Sequence, residues 1–299
     1  MSSDRPYDAI IMGGSFAGLS AALYLVRARR TVLVLDTAAP RNRFAASSHG
    51  FFGHDGADPR TMLATMREQI AAYPSVTFRS QAAADAKRAD SGFAVTLANG
   101  DVVTGARLLL AHGVTDILPA LPGLAERWGH SVLHCPYCHG YEVSGHQLGV
   151  LNLSPMSIHQ AALIAEWGPT TFFLDGGEIE QAAAADLTRR GIVIEPSKVD
   201  RLAGEGSGLS AVWLADGRER PLDALFIGPP FRLSSDLAER LGCALEDGML
   251  GPSIVVDEMK ATSVAGVYAA GDITRMAATV TFACADGVTA ALAIHRSLV

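Results

Sequence analysis

What this 299-residue chain has little of narrows its chemistry before any motif is read. Cysteine occurs only four times, too few for a disulfide scaffold at this length, so a close pair reads as catalytic or metal-binding. Charged residues reach only 18%, and 24 Lys and Arg against 31 Asp and Glu leave a net charge of −7. That balance, with no dense basic run, offers no positive field for nucleic acid or anionic lipid, so a small-molecule or protein substrate is expected. No apolar run is long and uninterrupted enough to span a bilayer, and no membrane association is expected. The segment Met1-Ser2-Ser3-Asp4-Arg5-Pro6 lacks the basic, apolar and small-residue blocks of an export signal, which points to a cytoplasmic location.

What is present suits an α/β protein. The length exceeds one ordinary core and predicts two domains. A hydrophobic content of 49% with 30 glycines fits buried parallel strands joined by Gly-containing turns. Tyr7 to Met12 reads as a strand, Gly13-Gly14-Ser15-Phe16-Ala17-Gly18 as a turn opening a helix, and Val32-Leu33-Val34-Leu35 as the next strand, ending in Asp36. Asn99-Gly100 signals a hairpin between residues 93–97 and 101–104. A second unit of similar layout starts at Gln147: a strand to Leu153, a helix over about 156–167, and a strand 171–174 ending in Asp175. Asp216-Gly217 predicts a hairpin between 211–214 and the run ending at Phe226-Ile227-Gly228. Gly266 to Asp272 reads as a strand entering a Gly turn, with a closing helix over about 278–295.

Two features carry chemistry. A nucleotide pyrophosphate wants backbone N–H groups at a helix N-terminus, glycines where a Cβ would block approach, and an acid at the next strand end for a ribose. Gly13, Gly14, Gly18 and Asp36 meet those needs, although Ser15 stands where the middle glycine of the fingerprint belongs; the bland reading of Asp36 is a solvated strand end. The second feature is Cys135-Pro136-Tyr137-Cys138. This spacing brings two sulfurs within bonding distance in one turn, and a helix N-terminus with His134 and His139 alongside favours the thiolate that performs exchange. The same residues fit the haem c pattern C-x-x-C-H, disfavoured without an export signal, and a zinc site, disfavoured without a partner C-x-x-C. No metal is expected. Cys243 and Cys284 read as small core residues.

The stretch Ile11 to Ala22, the Cys135-to-Cys138 pair, and Thr262 to Asp272 occur in the order found in low-molecular-weight thioredoxin reductases, and the resemblance covers nearly the whole chain. It implies two Rossmann-like three-layer domains, the second inserted in the first. One is a discontinuous FAD domain of residues 1–115 and 235–299; the other is an insert of 116–234 that carries the redox pair in a degenerate NAD(P)-binding fold. It also implies a homodimer. By the same resemblance Gly13, Gly14, Ser15, Phe16, Ala17 and Gly18 would line the pyrophosphate, Asp36 would hold the adenosine ribose, and Asp272 after Gly271 the ribityl chain. Thr279 and Val280 would lie beside the flavin ring. Arg43, His49 and Gly113 are counted with these cofactor-binding residues. The alternative for Asp272 is a helix N-cap, and the roles of His49, His54 and His112 stay open. Cys138 would face the flavin and Cys135 the substrate, with His139 standing where the family has Asp and able to take a thiol proton.

The pattern breaks at the second turn. Leu151-Asn152-Leu153-Ser154-Pro155-Met156-Ser157 has no glycine, Pro155 supplies no N–H, and Asp175 at the next strand end would repel a 2′-phosphate. These features disfavour NADPH, and NADH somewhat less. The stretch from Cys135 through Glu142 is more similar to the flavin dithiol oxidases that close the disulfides of metabolites such as gliotoxin and holomycin. The expectation is therefore an FAD-dependent thiol-disulfide oxidoreductase that oxidises a small-molecule dithiol through Cys135, Cys138 and His139, with oxygen as acceptor. Two alternatives stand beside it. One is a thioredoxin-disulfide reductase, acting on a thioredoxin-like protein or small disulfide with NAD(P)H or ferredoxin as donor; the other is a non-enzymatic flavin redox sensor.

Overall fold

The computed structural model describes residues 6–299. Met1–Arg5, most of the segment in which an export signal was sought, lie outside the described residues. Packing divides the chain into two compact units. One comprises residues through Arg43, Pro59–Thr115 and Phe231–Val299; the other comprises Phe44–Asp58 and Asp116–Pro230. No helix among the described residues is long and apolar enough to cross a membrane.

The first unit is built on a seven-stranded sheet in the order Val76–Arg79, Val32–Leu35, Tyr7–Met12, Val102–Leu110, Gly92–Leu97, Ala83–Ala89, with Val267–Ala269 also paired to Val102–Leu110. The strand Tyr7–Met12 is parallel to both neighbours, Met12 standing opposite Leu35 and Leu110. Its side chains alternate between two cores: Ile10 and Met12 join one, Ala9 and Ile11 the other. Burial of both faces explains why this strand and Val32–Leu35 are nearly all apolar. Asn99-Gly100 forms the expected hairpin, with Gly100 at φ +89°. The Ala- and Leu-rich helix Phe16–Arg27 packs against the closing helix Val280–Arg296. Close approach is possible because position 287 is glycine: a Cβ there would lie 3.1 Å from Ala17 Cα.

The second unit holds an all-parallel sheet in the order Val193–Glu195, Thr170–Phe173, Leu148–Leu151, Ala224–Phe226, Val132–Leu133. Val150, Phe172 and Phe226 face one core, Leu151, Phe173 and Leu225 the other. The strand 211–214 does make the hairpin expected at Asp216-Gly217, but with Glu219–Pro221. The apolar run beyond it splits away to join the parallel sheet. Pro221 lacks the N–H to continue a ladder, and the buried Ala224–Phe226 satisfies its backbone between two parallel neighbours instead.

Candidate cofactor and redox sites

In the first unit the chain leaves Met12 through Gly13, at φ +120°, a conformation that L side chains rarely adopt. A Cβ at Gly13 would strike the Ala111 carbonyl, one at Gly14 would sit 2.7 Å from Asp36 Cβ, and one at Gly18 would strike the Gly13 carbonyl. The glycines are therefore there for want of room. Ser15 occupies the N-cap of the helix Phe16–Arg27, yet its side chain accepts none of the first-turn N–H groups. Phe16 and Ala17 are buried in that first turn. Asp36 Oδ1 accepts the Gly14 N–H at 3.2 Å and Oδ2 pairs with Arg67, so the acid is locked to the turn.

Across the same sheet, His112 and Gly113 follow the strand Val102–Leu110. Gly113 adopts φ +67° and its carbonyl accepts the Ser234 N–H. The His112 Nδ1 lies 3.2 Å from that carbonyl, and Nε2 is buried with no hydrogen-bond partner. Burial pushes the His112 pKa down to about 4, against the smaller opposing effect of the Gly113 carbonyl, so the ring is neutral at neutral pH. Asp272 opens a single turn of 3-10 helix after Gly271, and its carboxylate pairs with Arg41 at 3.3 Å. Thr279 is the N-cap of the closing helix, its Oγ1 accepting the Phe282 N–H, and Val280 is that helix's first residue. Arg43 donates to the Pro40 carbonyl at 3.0 Å. A helix N-terminus without a side-chain cap, three glycines with no room for a Cβ, an acid at the adjoining strand end and an orphaned buried imidazole nitrogen together fit a dinucleotide such as FAD.

In the second unit Cys135 is the N-cap of a one-turn helix, Pro136–His139. Pro136 suits its first position because that N–H would be unpaired in any case. The Cys135 carbonyl accepts the N–H of both Cys138 and His139 at 3.2 Å, and the two Sγ atoms stand 3.0 Å apart, so a dithiol here needs little movement to close. A single turn contributes little dipole, which leaves the neighbouring side chains to set the chemistry. His134 is tied to the sheet through Nδ1, 3.1 Å from the Ile227 carbonyl. His139 is the candidate base. Burial lowers its pKa, Glu142 opposes that and His49 adds to it. His49 belongs to this unit: its Nδ1 is 3.5 Å from Asp55, its Nε2 3.4 Å from Glu142 and 3.1 Å from Ser47 Oγ. His54 stacks obliquely on Phe51. Among the described residues no cluster of three or more His, Cys, Asp or Glu could hold a metal ion.

The turn of the second unit that corresponds to Gly13-Gly14 is already filled. Ser157 Oγ accepts the N–H of Leu153 at 3.1 Å and of Ser154 at 3.2 Å. Asp175 takes the Val199 N–H at 2.8 Å, and Arg218 and Arg220 are both committed to the buried Glu195. Two backbone donors of the turn are thus taken by Ser157 and Pro155 supplies none, so the turn is a poor fit to a pyrophosphate.

Two sheets of nucleotide-binding layout and a cysteine pair with its sulfurs 3.0 Å apart are the features of a disulfide-type flavoprotein oxidoreductase. The chain belongs to the pyridine nucleotide-disulphide oxidoreductase family, whose model matches residues 7–150 and 167–287. This is an FAD-binding family, and the protein is an oxidoreductase acting on sulfur groups. It is 31% identical to thioredoxin reductase sirT of Leptosphaeria maculans, over 97% of this chain and 93% of that one. Among solved structures it resembles an oxidoreductase from Agrobacterium tumefaciens, at 46% identity and TM-score 0.94 over 98% and 99% of the two chains. It also resembles HlmI, at 35% identity and TM-score 0.93 over 100% and 94%.

The structure brings Gly13 to Gly18, Asp36, Gly113, Gly271, Asp272, Thr279 and Val280 into the first unit, with Arg43 at its boundary, and places Cys135, Cys138, His139 and His49 in the second. Sequence reasoning missed Arg67, Ser157, Asp55 and the part played by Glu142. A serine two residues after Pro155 in a glycine-free turn was a readable signal for Ser157; nothing in spacing points to Arg67 or Asp55.

Proposed function

We propose that the protein is an FAD-dependent dithiol oxidase that closes a small-molecule dithiol without nicotinamide. The observation that carries this reading is the capture of the Leu153 and Ser154 amides by Ser157, which removes the usual route for electrons from NADPH. In the oxidised enzyme a substrate thiolate attacks Cys135 Sγ of the Cys135–Cys138 disulfide, releasing Cys138 as thiolate. The second substrate thiol then displaces Cys135, leaving the substrate as a disulfide and the enzyme as a dithiol. His139, kept neutral by burial, accepts the proton given up as these thiols become thiolates. FAD held by the first unit would supply a two-electron acceptor for that dithiol, with oxygen as the terminal oxidant and peroxide as its product.

The residues that would hold FAD are Gly13 through Gly18 at the pyrophosphate, Asp36 at the adenosine ribose, and Asp272, Thr279 and Val280 toward the flavin, with Arg43, Gly113 and His49 as further contacts. Residues 1–115 and 235–299 then form the FAD domain and 116–234 the redox domain of a homodimer, as the family resemblance implies.

The test is aerobic incubation with a dithiol and no NADPH, measuring peroxide, alongside anaerobic titration of the flavin. Peroxide formation that disappears in Cys138→Ser with FAD retained supports the proposal. Unchanged dithiol oxidation in that variant removes the cysteine pair from the mechanism. The name of the Leptosphaeria relative favours a second reading, a thioredoxin-disulfide reductase, and rapid anaerobic bleaching by NADPH or NADH would establish it.

A further inference from the structure

The segment Phe44–Asp58 packs with the redox unit and delivers one side chain beside His139. The ring of His49 stands edge-on to that of His139, with centroids 6.5 Å apart and an interplanar angle of 86°. Each nitrogen of His49 faces a carboxylate: Nδ1 lies 3.5 Å from Asp55, 72% exposed, and Nε2 3.4 Å from Glu142, 42% exposed. Ser47 Oγ, 3.1 Å from Nε2, completes the set of polar groups that hold the ring in place. Glu142 therefore serves two histidines, as ion-pair partner of His49 and as a negative charge acting on His139. The charged groups that act on His139 are this Glu142 and His49.

We propose that His49 is a positioning residue for His139: held between Asp55 and Glu142, it engages the Glu142 carboxylate and thereby sets how readily His139 takes a thiol proton. Without His49, Glu142 would act more strongly on His139, against the lowering by burial. The inference rests on the reading of His139 as proton acceptor.

The experiment is an NMR titration of holoprotein with labelled histidine, following the His139 ring, assigned by its loss in His139→Asn. His49→Gln frees Glu142 from its partner, so the His139 midpoint moves to higher pH. Glu142→Gln removes the charge that favours protonation, so the midpoint moves to lower pH. Asp55→Asn moves it in the same direction as His49→Gln, by less. Circular dichroism and a urea midpoint equal to the parent's confirm that each variant is folded. Midpoints that stay put, or that move in the same direction in His49→Gln and Glu142→Gln, overturn the proposal, since a merely structural role would not produce shifts of opposite sign. The readout does not depend on turnover: opposite shifts without peroxide formation would overturn the oxidase reading and leave this one standing.

Discussion

Ser157 holds Leu153: the serine Oγ accepts the Leu153 N–H at 3.1 Å, and the Ser154 N–H at 3.2 Å, from a side chain only 1% exposed. The bond occupies the donors that a Gly-rich turn would present to a pyrophosphate. Ser157→Ala leaves two amides without their acceptor and is expected to cost about 2 kcal/mol of stability, read as a lower urea midpoint. It is not expected to confer reduction by NADPH, because Pro155 still supplies no N–H. Flavin bleaching by NADPH in this variant would show that Ser157 alone closes the site.

Gly13→Ala places a Cβ against the Ala111 carbonyl at a φ of +120°. The expected result is a loss of about 2 to 3 kcal/mol and purification without flavin. Full flavin content in Gly13→Ala would separate this turn from cofactor binding.

His112 gives the protein a pH dependence of known sign. Its pKa is lowered to about 4 in the folded chain, chiefly by burial, so the unfolded chain binds the proton first as pH falls. Stability is therefore full above the unfolded value and declines between about pH 6.5 and about pH 4, by at most about 3 kcal/mol. His112→Asn should flatten that limb of a stability profile measured by denaturant titration. An unchanged slope would assign the limb to other groups.

Glu195 acts in a lower window. Burial tends to raise its pKa, but hydrogen bonds from Arg218 and Arg220 outweigh this and hold it at about 2. Its stabilisation is present above the ordinary glutamate range and is lost as pH falls from about 4.5 toward 2. Half-exposed arginines are screened by solvent, which limits the term to about 2 kcal/mol. Glu195→Gln should remove the loss below pH 4.5 and lower stability at pH 7, both measurable by thermal unfolding across that range.

Much of the fold was legible because its signals are local. The strand Tyr7–Met12, its turn and the helix Phe16–Arg27 follow from an apolar run, the glycines Gly13, Gly14 and Gly18 and an Ala- and Leu-rich stretch, all within one short segment. The hairpin at Asn99-Gly100 needed only a dipeptide able to take positive φ. The strands of residues 219–221 and 224–226 were not separable in the same way. Which of two sheets a short apolar run joins depends on backbone partners far off in sequence, here Leu148–Leu151 and Val132–Leu133.

The division of the site follows the same line. By itself the sequence determined that two nucleotide-type units exist, that the second has lost its glycines, and that Cys135 and Cys138 are close enough to bond, because each property is set by neighbours along the chain. Only the tertiary structure decided that Ser157 turns inward to consume the amides, that Arg67 locks Asp36 to Gly14, and that a segment some ninety residues upstream sets His49 and Asp55 beside Glu142 and His139. Those outcomes depend on which side chains meet once the sheets are packed, and the strength of a charge on its neighbour is a matter of distance and burial in space.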